Sequence, residues 1–168
     1  KDGKLKLIED YENTPESILS DVYGIGPKKA EELVKNGIDT IRILRNRQDE
    51  VLNDKQKIGL KYYEDILKRI PRDEIKLYDN ILSNVYKKVG NKETYYEIVG
   101  SYRRGATDSG DIDVIITSDS VDIFDKFIDN LIEDKIIIEV LSRGKQKCLV
   151  IAKLFDNKNA VARRIDFL

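Results

Sequence analysis

Cysteine is nearly absent from this chain: Cys148 is the only one. A lone thiol cannot close an internal disulfide, which excludes a disulfide-stapled fold. Its setting in "CLVIAKL" predicts a buried structural side chain rather than a reactive one. No apolar run approaches the roughly 20 residues that cross a bilayer, and the opening "KDGKLKLIED" is charged rather than signal-like. A membrane span and a secretory leader are therefore not expected, and an intracellular chain is. Methionine is missing altogether, so the sequence includes no initiator residue and reads as a piece of a longer protein. Its end at "RRIDFL", inside a strand-like pattern, reads the same way.

Low-complexity tracts are missing too. The 168 residues are 40% hydrophobic, enough for one or two small domains with real cores. Net charge is -1, but it is unevenly spread. Residues 24–72 hold 12 Lys+Arg against 8 Asp+Glu, residues 140–168 hold 7 against 2, and residues 118–139 hold 2 against 7. Two basic regions flanking an acidic one fit a polyanionic ligand held by particular faces, and equally fit ordinary solvated surface.

The residue patterns predict an α+β chain in two parts. Residues 1–72 read as an all-helical module of short helices joined by glycine turns, with nothing that reads as a sheet. Thr14 is a helix N-cap with Pro15 in the first turn, a hairpin follows at Gly24 to Gly26, and the next helix runs from Pro27 to Asn36-Gly37. Residues 53–71 read as one longer helix, with Ile58, Tyr62, Ile66 and Ile70 four apart and Pro71 ending it. Residues 73–168 open with an amphipathic helix bearing Ile75, Tyr78, Ile81, Leu82, Val85 and Val89. Strand candidates follow at "TYYEIVG", "DIDVIIT", "KIIIEVLS", "QKCLVIAKLF" and "AVARRIDFL". An acidic amphipathic helix, "DSVDIFDKFIDNLIED", separates the second from the third. A mixed sheet covered by helices is expected.

"GIGPKKA" looks like a helix-hairpin-helix element. Gly24 and Gly26 permit a tight turn that brings backbone N–H groups to the surface at a helix start, where the dipole favours an anion. Lys28 and Lys29 add charge there, so a DNA phosphate is a natural guest, bound without sequence preference. A plain αα turn would need the glycines alone. Gly59, inside a helical pattern, reads as a close-packing site and is assigned no functional role.

The densest chemistry lies in "VGSYRRGATDSGDIDVII". Asp111 and Asp113, two apart at a strand start, project from the same face. Neighbouring carboxylates repel, and a divalent cation between them relieves that repulsion. Asp166, an acid inside an apolar strand pattern, is the candidate third ligand, because such an acid is costly unless paired or metal-bound. Upstream, Gly100 and Ser101 end a strand at a turn, Arg104 follows, and a second turn at Ser109-Gly110 leads into the acids. N–H groups, hydroxyl and guanidinium aimed at one place fit a triphosphate. Alternatively, Arg103 and Arg104 simply neutralise the aspartates.

Taken together, "GSYRRG", "SGDIDV", "GIGPKKA", "QKIGLKYYEDILKRIPRDE" and "RRIDF" resemble, in order, the signatures of the family X DNA polymerases, the polymerase beta-like group. The resemblance runs from about residue 14 to the end. It implies a helix-hairpin-helix module over 1–72 and a nucleotidyltransferase palm over 73–168, with DNA-directed DNA synthesis in short-gap, base-excision-type repair. By resemblance, Asp111 and Asp113 would bind two Mg2+ ions, with Mn2+ as a substitute. Asp166 would bind the catalytic ion and help deprotonate the primer 3'-hydroxyl. Ser101, Arg104, Ser109, Gly110 and Arg69 fall on triphosphate-binding positions, and Arg164 on one that orients the third acid. Carbonyls of Ser20, Val22 and Ile25 match a site for Na+ or K+ beside the primer. Partners would be deoxynucleoside triphosphates and gapped or nicked duplex DNA, with a nucleus or other DNA-containing compartment as the location and a monomer as the default.

Two parts of the family pattern are not in the sequence: an N-terminal lyase domain, and a C-terminal subdomain that packs on the nascent base pair. The piece alone is therefore expected to synthesise weakly or not at all. A template-independent terminal transferase, or an RNA or small-molecule nucleotidyltransferase, would carry the same G-S and D-x-D chemistry. The hairpin and "KRIP" favour DNA over the RNA and small-molecule readings. A DNA-binding module with merely structural acids is the reading from a different class.

Overall fold

The computed structural model describes residues 11, 13–154 and 159–168. The charged opening and Phe155, at the end of the fourth strand candidate, lie outside the described residues. The chain divides between Tyr63 and Glu64 into two compact units, and its elements make an α+β fold.

In the first unit, α1 (Pro15–Ser20) starts where Thr14 Oγ1 accepts the Ser17 N–H, with Pro15 in its first turn. Gly24 takes φ +88° at the following turn, and Gly26 stands at the N-cap of α2 (Pro27–Lys35) without a side-chain cap. No glycine or proline marks the start of α3 (Ile41–Val51), which is capped instead by Thr40. Asn53 and Gln56 exchange side-chain and backbone hydrogen bonds to open α4 (Asp54–Lys61). Leu19, Leu33, Ile38, Leu44 and Leu60 fill the core, each contributing about 1.5–3 kcal/mol by burial. Gly59 is a close-packing site: a Cβ there would lie 2.3 Å from the Tyr23 carbonyl oxygen.

The expected single helix over residues 53–71 is interrupted. α4 ends at Lys61, Tyr62 sits at φ -104°, ψ 15°, and a short α5 covers Tyr63–Leu67. The Leu60 carbonyl in that last turn accepts the Arg45 side chain at 3.2 Å, a partner 15 residues away that four-residue periodicity does not reveal. Nor does the helical pattern reach Pro71. Ile70–Pro71 form a two-residue strand, β1, paired antiparallel with β3 (Asp108–Ser109), so the expectation that residues 1–72 contain no strand is corrected.

The second unit is built on α6 (Arg72–Val89) and a five-stranded mixed sheet ordered β2-β4-β7-β6-β5. Its strands are β2 (Tyr95–Val99), β4 (Ile112–Thr117), β5 (Ile137–Arg143), β6 (Cys148–Ala152) and β7 (Arg163–Phe167). A four-residue helix, α7 (Gly100–Arg103), follows β2, and α8 (Asp122–Glu133) links β4 to β5. Only β4 and β7 are parallel, as the crossover between them through α8, β5 and β6 permits.

Tyr78 and Leu82 of α6 and Phe127 and Leu131 of α8 bury against Val114, Ile165 and Phe167. Alternation along the strands does the rest. Ile112, Val114 and Ile116 are buried, and so are Arg163, Ile165 and Phe167, whereas Asp113, Arg164 and Asp166 are half-buried and point to the opposite face. Cys148 is buried, as its surroundings predict, and that burial pushes its thiol pKa up.

Candidate metal and phosphate centre

The three acids meet because of strand register. Asp113 lies directly across from Asp166 in the parallel β4–β7 pair and across from Val99 in the β2–β4 pair. Asp111 stands just before β4, two residues back and on the same side. One carboxylate oxygen from each of Asp111, Asp113 and Asp166 lies within 4.8 Å of the others.

Burial raises the Asp113 pKa above the ordinary carboxylate range, and the charges of Asp111 and Asp166 raise it further against the opposing pull of Arg164 and Arg104. Burial likewise raises Asp166, opposed chiefly by Arg164, whose Nη2 donates to both Asp166 oxygens at 3.1 and 3.4 Å. Three half-buried carboxylates gathered at one point form a hard oxygen donor set, which suits a divalent cation.

Gly100 makes room for this cluster. It takes φ +68° at the end of β2, and a Cβ on it would stand 2.7 Å from Asp113 Oδ2. The same backbone turn puts Ser101 on α7 and Arg104 at its C-cap, with Arg104 close enough to act on the Asp113 charge. Ser101 Oγ donates to the Oγ of the buried Ser109 at 2.6 Å, tying α7 to β3. A Cβ at Gly110 would lie 3.2 Å from Arg69 Nη1. The structure thus assembles Gly100, Ser101, Arg104, Ser109, Gly110 and Arg69 around the acid-bearing strands. Arg103 points elsewhere, toward Glu97 at 3.5 Å.

The sequence patterns assign no role to three residues beside this site, Asp108, Glu74 and Arg163. Asp108 holds the exposed Arg69 guanidinium at 2.9 Å. Arg163, only 4% exposed, binds both carboxylate oxygens of Glu74 and donates to the carbonyls of Lys68 and Arg69. All three guanidinium nitrogens of that buried cation donate, which fixes the backbone from which Arg69 projects. Arg163 stands beside Arg164 in sequence, but its partners lie 89 to 95 residues away, beyond the reach of a local pattern.

In the helical unit, Gly24 and Gly26 shape the turn and Lys28 is exposed at the start of α2, with Lys29 half-buried beside it. The open N-terminal turn of α2 leaves backbone donors available to an anion. Val22 and Ile25 are buried, and the Val22 carbonyl accepts the Ile25 N–H at 3.0 Å. The Ser20 hydroxyl is turned back onto the Ser17 carbonyl at 2.8 Å.

Two family models match the chain. One, described as DNA polymerase beta palm, covers residues 69–168, and the other, the fingers domain of DNA polymerase lambda, covers residues 17–67. Among curated proteins, DNA polymerase lambda of Arabidopsis thaliana is 37% identical over 68% of this chain and 22% of its own length. DNA polymerase type-X family protein pol4 of Schizosaccharomyces pombe is 26% identical over 99% of the chain and 35% of its own length. DNA nucleotidylexotransferase of Xenopus laevis is 29% identical over 59% of the chain and 19% of its own length. The chain thus spans about a third or less of these relatives. With the palm match covering most of its length in the order anticipated from its motifs, the chain belongs to the family X DNA polymerases, the polymerase beta-like group.

Proposed function

We propose that this chain is the catalytic palm, together with one DNA grip, of a DNA polymerase that adds deoxynucleotides to a primer 3'-hydroxyl in short-gap DNA repair. The observation that carries the reading is the convergence of Asp111, Asp113 and Asp166 within 4.8 Å beside a loop of hydroxyls, glycines and arginines.

In this reading Asp111 and Asp113 would hold two divalent cations, and Asp166 would be a further ligand to the catalytic one. Bound ions supply charge that neutralises the triphosphate and acidify the primer hydroxyl. The chain's own groups do the positioning. Gly100, Ser101, Arg104, Ser109 and Gly110 orient the β- and γ-phosphates through N–H, hydroxyl and guanidinium donors, and Arg69 reaches them after leaving Asp108. Arg164 keeps Asp166 oriented and ionised, ready to accept the hydroxyl proton. The primer oxygen then bonds to the α-phosphorus and the bond to the bridging oxygen breaks, releasing pyrophosphate.

The helical module, residues 1–72, holds the DNA backbone. Gly24 and Gly26 admit a phosphate to the start of α2, Lys28 and Lys29 neutralise it, and carbonyls of Ser20, Val22 and Ile25 would hold a monovalent cation. The substrate would be gapped or nicked duplex DNA, inside a DNA-containing compartment, with the protein acting as a monomer. Among the described residues no helix is long and apolar enough to cross a membrane.

Primer extension by the full-length protein on a one-nucleotide-gapped duplex with Mg2+ tests the reading, wild type against Asp166→Ala, with a single-stranded primer as control. Gap filling that vanishes in the variant is expected. Extension of the single strand alone would select a template-independent terminal transferase, a second reading that rests on the 29% identity to DNA nucleotidylexotransferase. No extension on either substrate would leave a non-catalytic DNA-binding module.

A further inference from the structure

Arg72 occupies an electrostatically poor position. It is the first residue of α6, where the aligned peptide dipoles present their positive end and a cation is disfavoured. Two acids, Asp73 and Glu74, follow it in the same turn, yet neither takes its guanidinium. The side chain turns instead to the loop between α7 and β3. Arg72 Nη1 donates to the carbonyl oxygens of Tyr102 at 2.6 Å and Ala106 at 3.2 Å. Its guanidinium carbon lies 4.1 Å from the centre of the Tyr102 ring. Its backbone N–H donates to the Thr107 carbonyl at 3.0 Å. One residue therefore grips both arms of the turn at Gly105, which takes φ +89°.

The gripped segment carries Ser101 and Arg104 and is closed on itself by short-range bonds. Gly105 N–H donates to Tyr102, Ala106 N–H to Ser101, and Arg104 N–H to Gly100. These bonds close the turn upon itself without fixing where it sits relative to the sheet. Its anchors from outside are the Ser101–Ser109 hydroxyl pair, Arg103 on Glu97, the Tyr102 ring against the core, and the Arg72 clamp, which takes carbonyls on both arms of the turn.

We propose that Arg72 is a positioning residue for the nucleotide site: it presets the loop of Ser101 and Arg104 in the conformation that receives the phosphates of an incoming nucleoside triphosphate. This inference rests on the reading of that loop as the triphosphate cradle. A preset loop binds without first being ordered, and that saving appears as affinity. The task suits arginine specifically. A planar guanidinium stacks on a ring while its edge donates to carbonyls, whereas a lysine ammonium is a point charge that cannot do both.

The test measures dATP affinity in the presence of Mg2+ by titration calorimetry, and Mn2+ affinity by electron paramagnetic resonance, in the full-length protein and its Arg72→Ala and Arg72→Lys variants. Arg72→Ala is expected to weaken dATP binding by about tenfold while Mn2+ binding at the acids stays at the wild-type value. Arg72→Lys is expected to recover only a small part of the loss. In primer extension the deoxynucleotide KM should rise by a similar factor with kcat changing little, the pattern of lost ground-state binding. Wild-type dATP affinity in Arg72→Ala would overturn the inference and leave the reading of the cradle intact. Failure of the wild type itself to bind dATP would overturn both. Parallel loss of Mn2+ and dATP binding would make Arg72 a general support of the fold and also overturn the inference. If Arg72→Ala does not fold, Arg72→Lys decides: weakened dATP binding with unchanged Mn2+ binding supports the clamp, and wild-type binding of both refutes it.

Discussion

Replacing Gly100 by alanine separates two costs that the structure superimposes at one residue. The first is backbone conformation. At φ +68° an L side chain is strained, and the left-handed region costs about 1–2 kcal/mol. The second is contact: the new Cβ would fall 2.7 Å from Asp113 Oδ2. That carboxylate is the end of a flexible side chain and will swing aside, which adds little to the folding cost but moves an oxygen out of the acid cluster. Gly105 supplies the control, because it takes φ +89° and a Cβ on it meets nothing within 4 Å. Both variants should lose about 1–2 kcal/mol in urea denaturation. Only Gly100→Ala should also weaken Mn2+ binding, by about tenfold, the scale on which disturbed ligand support is felt. Equal Mn2+ affinity in the two variants would refute the reasoning that Gly100 is kept small for Asp113. Unchanged stability in Gly105→Ala would refute the conformational half.

Gly59→Ala should destabilise the helical unit by about 1–2 kcal/mol, because the 2.3 Å approach to the Tyr23 carbonyl costs more than alanine's better helix propensity returns; a raised urea midpoint would contradict this. Glu74→Ala should cost about 3 kcal/mol by stranding the buried Arg163 guanidinium, read as a fall in thermal midpoint, and a loss under 1 kcal/mol would mean that the Lys68 and Arg69 carbonyls suffice. The folded pKa values of Asp113 and Asp166 lie above their unfolded values, so the folded state binds protons first as pH falls. Without divalent ions, these two groups should add stability as pH drops from neutral through their raised pKa values, in full below the ordinary carboxylate range. Asp113→Asn should flatten that rise, and an unaltered slope in urea midpoint against pH would count against the burial that, ahead of the Asp111 and Asp166 charges, raises Asp113. Lys28→Ala and Lys29→Ala should weaken binding to gapped duplex DNA and flatten its salt dependence in fluorescence anisotropy, and unchanged affinity would remove the hairpin from the DNA interface.

Local chemistry was legible wherever the decisive interaction spans a few residues. Thr14, Pro15, Gly24 and Gly37 punctuate the helices, and the alternation in 112–116 and 163–167 marks buried and functional faces of the strands. The two-residue spacing of Asp111 and Asp113 places them on one side of a strand by geometry alone. α3 and the break at Tyr62 were not legible. The first is started by a single threonine without proline or glycine, and the second lies beside a carbonyl taken by an arginine 15 residues away.

The sequence by itself determined the main helices and the sheet strands of the second unit, which face of each of those strands is apolar, and which residue types gather before β4. These follow from backbone sterics and the periods of helix and strand, which act within a turn or a few residues. Only the tertiary structure decided that β4 lies parallel to β7, so that Asp166 stands across from Asp113 over 53 residues of chain. It alone decided that Arg163 reaches Glu74 and that Arg72 seizes the carbonyls of Tyr102 and Ala106. Such pairings depend on which loops close and which apolar faces stack. Their partners are neighbours only in the folded arrangement built around the core of Tyr78, Phe127 and Phe167.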